Sequence, residues 1–354
     1  MAVVRSSKIP ANCGPTTARG GHDRRNIVNR KTSLLAVALT AIAAASIAPA
    51  VAAAPAVRAD VTRGALRITG AVTPDKIALR LSALDQNQLQ VDVGDDGVAD
   101  FTFALSTFET IDVRAGNGDD TVRIDQVNGA FTTTKPTRIS GDNGNDTLIG
   151  GSGAEVFVGG NGDDVVDGNV GADTAYLGRG DDTFVWDQGD GSDVVEGGSG
   201  FDTQVFNGFG ANEIMAVTAN DGRVLFTRVQ GNIVMNLDDV EAIDVHPLGG
   251  TDTVIVNDVA GTDLVRVNVD LAAALGGSTS DNQEDKVTVF GTADDDSISA
   301  DANGAAVEVS GLAAFVRITH TDAALDRLII GTLGGDDNVA VDPAVDGLIQ
   351  VSVQ

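Results

Sequence analysis

Cysteine and aromatic residues are scarce in this chain of 354 residues. Its one cysteine, Cys13, lies in a segment that we expect to be removed from the mature protein. Disulfides, cysteine-ligated zinc and a cysteine nucleophile are therefore excluded. The aromatic residues are twelve phenylalanines, one tryptophan and one tyrosine. Because sugar-binding clefts generally use aromatic stacking surfaces, this composition disfavours a polysaccharide-active enzyme.

Basic residues and glutamate are also few. The chain has 23 lysines and arginines against 51 acids, a balance that excludes a basic nucleic-acid binder. Seven of the acids are glutamate and the other 44 are aspartate, alongside 43 glycines. Aspartate and glycine are unfavourable inside helices and common in turns, and the aspartate carboxylate is a ligand for hard cations. We therefore expect an all-β protein with acidic turns.

Residues 1–52 are predicted to be a secretory signal peptide. An apolar, alanine-rich run at 34–48 follows Arg30-Lys31 and precedes the small-x-small sequence Ala50-Val51-Ala52. An uncleaved anchor is the alternative, and the chain has no later apolar run of membrane-spanning length. The predicted location is secreted, extracellular or cell surface.

The beginning of the chain leaves two questions open. Residues 1–27 are long for a basic leader, and a start at Val28 is the alternative. Arg24-Arg25 resembles a twin-arginine signal, so both that route and the general secretory route stay open. Without residues 1–52 the chain has sixteen bases and 50 acids, a net charge of −34. Such self-repulsion opposes a compact fold unless cations neutralise it.

A nine-residue period runs through the middle of the sequence. Most units carry an acid at the sixth position and an apolar residue at the eighth. The seven consecutive units are GDNGNDTLI (141–149), GGSGAEVFV (150–158), GGNGDDVVD (159–167), GNVGADTAY (168–176), LGRGDDTFV (177–185), QGDGSDVVE (188–196) and GGSGFDTQV (197–205). An eighth unit, AGNGDDTVR at 115–123, lies upstream and is separated from the others by a bridge at 124–140.

These units resemble the repeats-in-toxin (RTX) family of hemolysin-type calcium-binding repeats, whose nonapeptide is Gly-Gly-x-Gly-x-Asp-x-apolar-x. The resemblance implies a parallel β-roll in which each unit forms a glycine-rich turn and a short strand, and two units complete one coil. It also implies calcium as the cofactor, bound between successive turns. Glycine permits positive φ and close stacking of turns, and the apolar eighth residue fills the core.

Two units per coil place residues 18 apart in register. Carboxylates from successive turns, with turn carbonyls, would give calcium the six to eight oxygens that it prefers. Glu155 replaces the family aspartate, which weakens the site with Asp173, and Gln204 in the apolar slot predicts the end of the array. The predicted metal ligands are Asp146, Asp164, Asp182 and Asp202 in one column, Asp173 and Asp193 in the other, the upstream Asp120, and the turn glycines Gly144, Gly162 and Gly180.

A longer repeat flanks the array at 68–125, 205–257 and 289–342. Short runs in which apolar and polar residues alternate lie within and between the copies of this repeat, and they predict strands. We expect a signal peptide at 1–52, an N-terminal β module at 60–125, the nonapeptide β-roll at 141–205 and C-terminal β-solenoid modules at 206–354. Together they would form one elongated parallel β-solenoid. A separate β-sandwich at 207–354 and an acidic disordered segment in the array are the competing interpretations.

The sequence offers few candidates for catalysis. It contains neither His-Glu-x-x-His nor Gly-x-Ser-x-Gly. His246 and His320 are interpreted as surface or turn residues, and Tyr176 and Trp186 as strand-packing residues of the array. We expect a secreted, non-enzymatic calcium-binding protein in which calcium folds and stabilises the β-roll. The alternatives are an adhesin or matrix scaffold that contacts a cell-surface or matrix polymer, and a polysaccharide-active β-helix enzyme. The biological partner, the number of calcium sites and the oligomeric state stay open.

Overall fold

The computed structural model describes residues 56–354, so the predicted signal peptide lies outside the described residues. Regular structure in 56–354 consists of β-strands and two short 3-10 helices. No helix in this range is long and apolar enough to cross a membrane. The prediction of an all-β fold is confirmed for the part of the chain that the structure describes.

The strands are short, and most are separated by glycine- or aspartate-containing turns. In chain order they are β1 (Arg58–Thr62), β2 (Ala65–Thr69), β3 (Lys76–Leu81), β4 (Gln88–Val93), β5 (Phe101–Ala104), β6 (Thr110–Asn117), β7 (Thr121–Asp125), β8 (Thr137–Asn143), β9 (Thr147–Ile149), β10 (Val156–Asn161), β11 (Val165–Asp167), β12 (Thr174–Arg179), β13 (Thr183–Trp186), β14 (Val194–Ser199), β15 (Thr203–Asn207), β16 (Ile214–Asn220), β17 (Arg223–Arg228), β18 (Ile233–Asp238), β19 (Ala242–His246), β20 (Thr253–Val256), β21 (Arg266–Asp270), β22 (Lys286–Phe290), β23 (Ser297–Asn303), β24 (Ala306–Ser310), β25 (Phe315–Thr319), β26 (Arg327–Gly331), β27 (Asn338–Val341) and β28 (Gln350–Val353). The 3-10 helices are Leu105–Thr107 and Pro343–Gly347.

These strands form two sheets of fourteen strands each. Successive nonapeptides alternate between the sheets, so β8, β10, β12 and β14 lie in one sheet and β9, β11, β13 and β15 in the other. Neighbouring strands are parallel, and Val156 pairs with Thr174 while Val166 pairs with Phe184. Both pairs are 18 residues apart. The predicted parallel solenoid, with two units in each coil, is confirmed.

The eighth residue of most nonapeptides fills the space between the two sheets. Side chains at this position are 0–1% exposed, and they are Leu148, Phe157, Val166, Ala175, Phe184 and Val195. Trp186 joins this core, with its ring stacked 4.0 Å from that of Phe206. Tyr176 points outward and is 49% exposed, because it occupies the ninth position of its unit. Core packing therefore accounts for the tryptophan but not for the tyrosine.

Each copy of the longer repeat contains an antiparallel three-stranded meander. The meanders are β3–β5, β16–β18 and β23–β25. The second strand after each meander (β7, β20 and β27) pairs in parallel with its first strand. Residues 206–354 extend the same two sheets, since β14 pairs with β18 and β15 with β19. They do not form a separate sandwich. The exact module boundaries stay a prediction.

Close stacking of the turns gives a testable role to Gly162. Its φ is +119°, and a Cβ placed on it would lie 2.6 Å from the carbonyl carbon of Gly144 and closer still to the oxygen. Gly189 has a similar φ of +112° but nothing within 4 Å of that position. We expect Gly189→Ala to lower the free energy of unfolding by about 1–2 kcal/mol through backbone strain. Gly162→Ala should lose a further ~1–3 kcal/mol through the clash.

Urea unfolding of both variants at saturating calcium measures this difference. Equal losses for Gly162→Ala and Gly189→Ala would show that contact between turns does not limit the residue at this position.

Candidate metal centre

The turns of the array bury the acid at the sixth position. Asp146, Asp164 and Asp182 are each 1% exposed and Asp202 is fully buried. The Oδ1 atom of each later acid accepts a hydrogen bond from the backbone N–H of the acid one coil earlier, at 2.7–2.8 Å. The first predicted column is therefore a continuous ladder that joins successive coils.

The upstream acid Asp120 belongs to the same ladder. Its backbone N–H donates to Asp146 Oδ1 at 2.8 Å, so the upstream unit stacks directly on the array. The bridge at 124–140 completes that coil, and it does not separate the two segments as the sequence suggested. In the second column, the amide of Glu155 donates to Asp173 Oδ1 and that of Asp173 to Asp193 Oδ1.

The second carboxylate oxygen distinguishes one group of these acids from the rest. This oxygen is buried and has no hydrogen-bond partner within residues 56–354. The acids concerned are Asp120, Asp146, Asp164, Asp173, Asp182, Asp202 and Asp252. A buried polar atom without a partner costs about 1–3 kcal/mol, and more when it is charged. A cation bound at this oxygen would remove that cost.

All seven turns share one backbone feature. The second residue of each turn, which lies four positions before the acid, has a positive φ. These residues are Gly116, Asp142, Gly160, Asn169, Gly178, Gly198 and Leu248. In the Glu155 turn the second residue, Gly151, lies outside this region, and its N–H donates to the second carboxylate oxygen. Gly151 donates in this way to Glu155 Oε2 at 2.8 Å, and Gly153 donates to Glu155 Oε1 at 3.1 Å. Both oxygens of Glu155 are therefore engaged, which gives a physical reason for the weak site predicted there.

The space beside each free oxygen suits calcium. A Cβ placed on Gly141 would lie 2.8 Å from the carbonyl oxygen of Gly159 and closer still to Asp146 Oδ2. At the end of the array, the same position on Gly197 lies 2.7 Å from Asp202 Oδ2 and closer to the carbonyl oxygen of Asp239. A carboxylate oxygen and a carbonyl oxygen of the next coil thus face the same side of each of these glycines, and calcium prefers such oxygen ligands. The residues present fit the ion.

The sequence analysis predicted turn carbonyls as ligands but did not identify these two residues as their source. Gly159 and Asp239 belong to the coil after the free carboxylate, and Asp239 lies in a turn that is not a nonapeptide. Because every residue has a carbonyl group, residue type gives no signal for this role. The carbonyls of the predicted Gly144 and Gly162 point instead at the α-carbon of the equivalent glycine one coil later. Whether Gly144, Gly162 and Gly180 bind the metal stays a prediction.

Burial of the acids changes their protonation. Desolvation raises the pKa of Asp164 to about 7 and that of Asp173 to about 8. The amide hydrogen bond to each carboxylate opposes this rise, and neighbouring carboxylates add to it. The pKa of Asp202 is raised to about 7 for the same reasons. In the absence of a cation, the folded turns therefore favour protonated carboxyl groups.

A separate acidic group lies on the surface. Asp238, Asp239 and Asp263 each place one carboxylate oxygen within 4.8 Å of the others, and Asp239 and Asp263 are exposed. It is the one group of three or more candidate ligand side chains so close together in residues 56–354. The array turns differ from it, because they combine buried carboxylates with backbone carbonyls.

Comparison with known families agrees with this geometry. The RTX calcium-binding nonapeptide repeat matches in four copies, over residues 137–166, 149–184 and 188–203. These residues contain the stacked turns and five of the seven acids with a free oxygen. By its fold and its turns, the array is a β-roll of calcium-binding repeats. It consists of RTX nonapeptide repeats.

The whole chain was also compared with curated proteins and with solved structures. No curated protein matches the sequence. Among solved structures, the chain is similar to the extracellular lipase LipA from Serratia marcescens, with 13% identity and a TM-score of 0.17. The match covers 58% of this chain and 43% of the lipase, so it spans less than half of the lipase.

Proposed function

We propose that this is a secreted protein whose β-roll is folded and stabilised by calcium bound between its turns. The observation that carries the proposal is the set of buried carboxylate oxygens without a partner, stacked coil upon coil. Each calcium ion would supply the positive charge that these turns require. The long-coil modules at both ends would enclose the array and extend its two sheets.

The charge of the chain suits export before folding. At a net charge of −34 without residues 1–52, the chain repels itself where calcium is scarce and stays expanded. An ion that binds only the native turns stabilises the fold in proportion to the logarithm of its concentration. Extracellular calcium modules bind at about 10⁻⁴–10⁻³ M, which places the transition outside the cytoplasm.

We further propose that the role is structural and not enzymatic. Both histidines of the described part bond to a side chain of an adjacent coil. His246 Nδ1 lies 2.9 Å from Asn207 Oδ1, and His320 Nδ1 lies 2.5 Å from Asp270 Oδ1. Each contact joins side chains at the ends of neighbouring strands, so coil-to-coil packing accounts for both residues.

A calcium titration of residues 53–354 after chelation tests the proposal. Far-ultraviolet circular dichroism should change from coil to β as calcium is added. The fluorescence of Trp186 should shift to shorter wavelength as the ring becomes buried against Phe206. Magnesium should be much less effective, because it requires octahedral geometry and gives up its water reluctantly. A complete β spectrum in chelator, with calcium changing neither its shape nor the melting temperature, would instead favour the scaffold or enzyme alternatives.

A further inference from the structure

One of these seven turn acids belongs to no nonapeptide unit. Asp252 precedes β20 in a long coil and is 2% exposed. Its Oδ1 accepts the backbone N–H of Glu213 at 2.7 Å, just as Asp164 accepts that of Asp146. Its Oδ2 is buried and has no partner within 56–354. Asp252 therefore has the hydrogen-bonding state of an array acid.

The turn before Asp252 also has the backbone of an array turn. Its second residue, Leu248, has a φ of 73°, the same value as Asp142 in the array. This conformation is unfavourable for a bulky side chain and persists only where the surrounding structure enforces it. A sequence pattern based on glycine misses this turn, because leucine occupies the position.

Glu213 is the preceding acid in the same column, and both of its carboxylate oxygens have partners. The N–H of Phe209 donates to Glu213 Oε2 at 2.8 Å, and Arg228 forms an ion pair with Oε1. The charge of Glu213 is therefore balanced within the protein. Asp252 stacks on this turn with its second oxygen unpaired.

Other acids surround the Asp252 turn. The backbone N–H of Asp252 donates to Asp285 Oδ1 at 2.8 Å, and that of Gly250 donates to Asp281 Oδ2 at 2.9 Å. Burial raises the pKa of Asp252 to about 7 and that of Asp285 to about 8, and the charge of Asp281 adds to both shifts. Two further carboxylates thus bond to the turn of Asp252, whose Oδ2 no donor reaches.

We propose that the Asp252 turn is a further cation site, in which Asp252 Oδ2 and the Asp285 carboxylate hold one calcium ion together with turn carbonyls. The identity of the ion rests on the proposed function of the array. The position of the site rests on the Asp252 turn alone. Calcium would then stabilise the long coils after β15 as well as the nonapeptides.

Counting bound calcium by equilibrium dialysis at saturating calcium tests the site in residues 53–354. Asp252→Asn should bind one ion fewer than the wild type. Asparagine keeps the Oδ1 acceptor for Glu213 and removes only the charge that the ion would neutralise. Asp326→Asn is the matched control, because both oxygens of this buried acid already accept amide hydrogen bonds, from Asp285 and Asp322. It should keep the full count.

Asp285→Asn gives a second variant that carries the test if Asp252→Asn does not fold. It should lose the same ion, so the double variant should lose one ion and not two. A full calcium count in both single variants would overturn the inference. Asp164→Asn separates the two proposals. If Asp164→Asn binds fewer calcium ions than the wild type and Asp252→Asn binds the full number, only the Asp252 site is contradicted. A loss confined to Asp252→Asn contradicts only the array.

Discussion

Asp164→Asn should raise the calcium concentration needed to fold the array by about tenfold or more. Asp164 lies in the middle of the ladder, with one oxygen bonded to the amide of Asp146 and the other buried and free. Asparagine keeps the first contact but replaces the charged oxygen that the ion requires. Interactions with a charged group are worth about 1.5–3 kcal/mol, and each 1.4 kcal/mol changes affinity tenfold.

Asp163→Asn is the matched control for this experiment. Asp163 precedes Asp164 in the same turn, is exposed, and accepts the amide of Asp181 at 2.9 Å. Its replacement removes the same charge from the same turn without touching the buried oxygen. Calcium titrations followed by circular dichroism and Trp186 fluorescence should show a midpoint close to that of the wild type. Equal midpoint shifts in both variants would mean that net charge, and not the buried oxygen, determines the response.

Without calcium, the fold should become more stable as the pH falls from about 8 to about 5. Burial raises the pKa of Asp164 to about 7 and that of Asp173 to about 8, from 3.8 for an ordinary aspartate. Between the unfolded and folded values, the folded state binds more protons than the unfolded state. The stability that these protons provide is present in acid and is lost as the pH rises through the folded pKa values. The β content in calcium-free buffer at several pH values, followed by far-ultraviolet circular dichroism, measures this trend.

Saturating calcium should change that dependence. Calcium binds ionised carboxylates, so protons compete with it and its affinity falls as the pH is lowered. The β content with and without calcium should therefore differ most near pH 8 and converge toward pH 5. A calcium-free protein that loses β-structure on mild acidification would contradict the assignment of raised pKa values to the buried acids.

The sequence alone determined the array and its two acid columns. A period of nine, together with the two units per coil that the resemblance to RTX repeats implies, predicts a register of 18 residues, and this register places Asp146, Asp164 and Asp182 in one ladder. The alternation of small, acidic and apolar residues also specified which side chains enter the core. These features follow from local repetition, which is why they could be read without coordinates.

The tertiary structure decided how the long coils join the array and which acids keep a free oxygen. The meanders bring residues such as Asp75 and Asp120 together across 45 positions, a separation that no short period reveals. All seven turn acids with a free oxygen follow a second turn residue of positive φ, and Asp142, Asn169 and Leu248 adopt positive values without being glycine. Residue identity does not fix that angle, because stacking against the neighbouring coils enforces it. For the same reason the carbonyl of Asp239 and the turn of Asp252 emerged only from the folded chain.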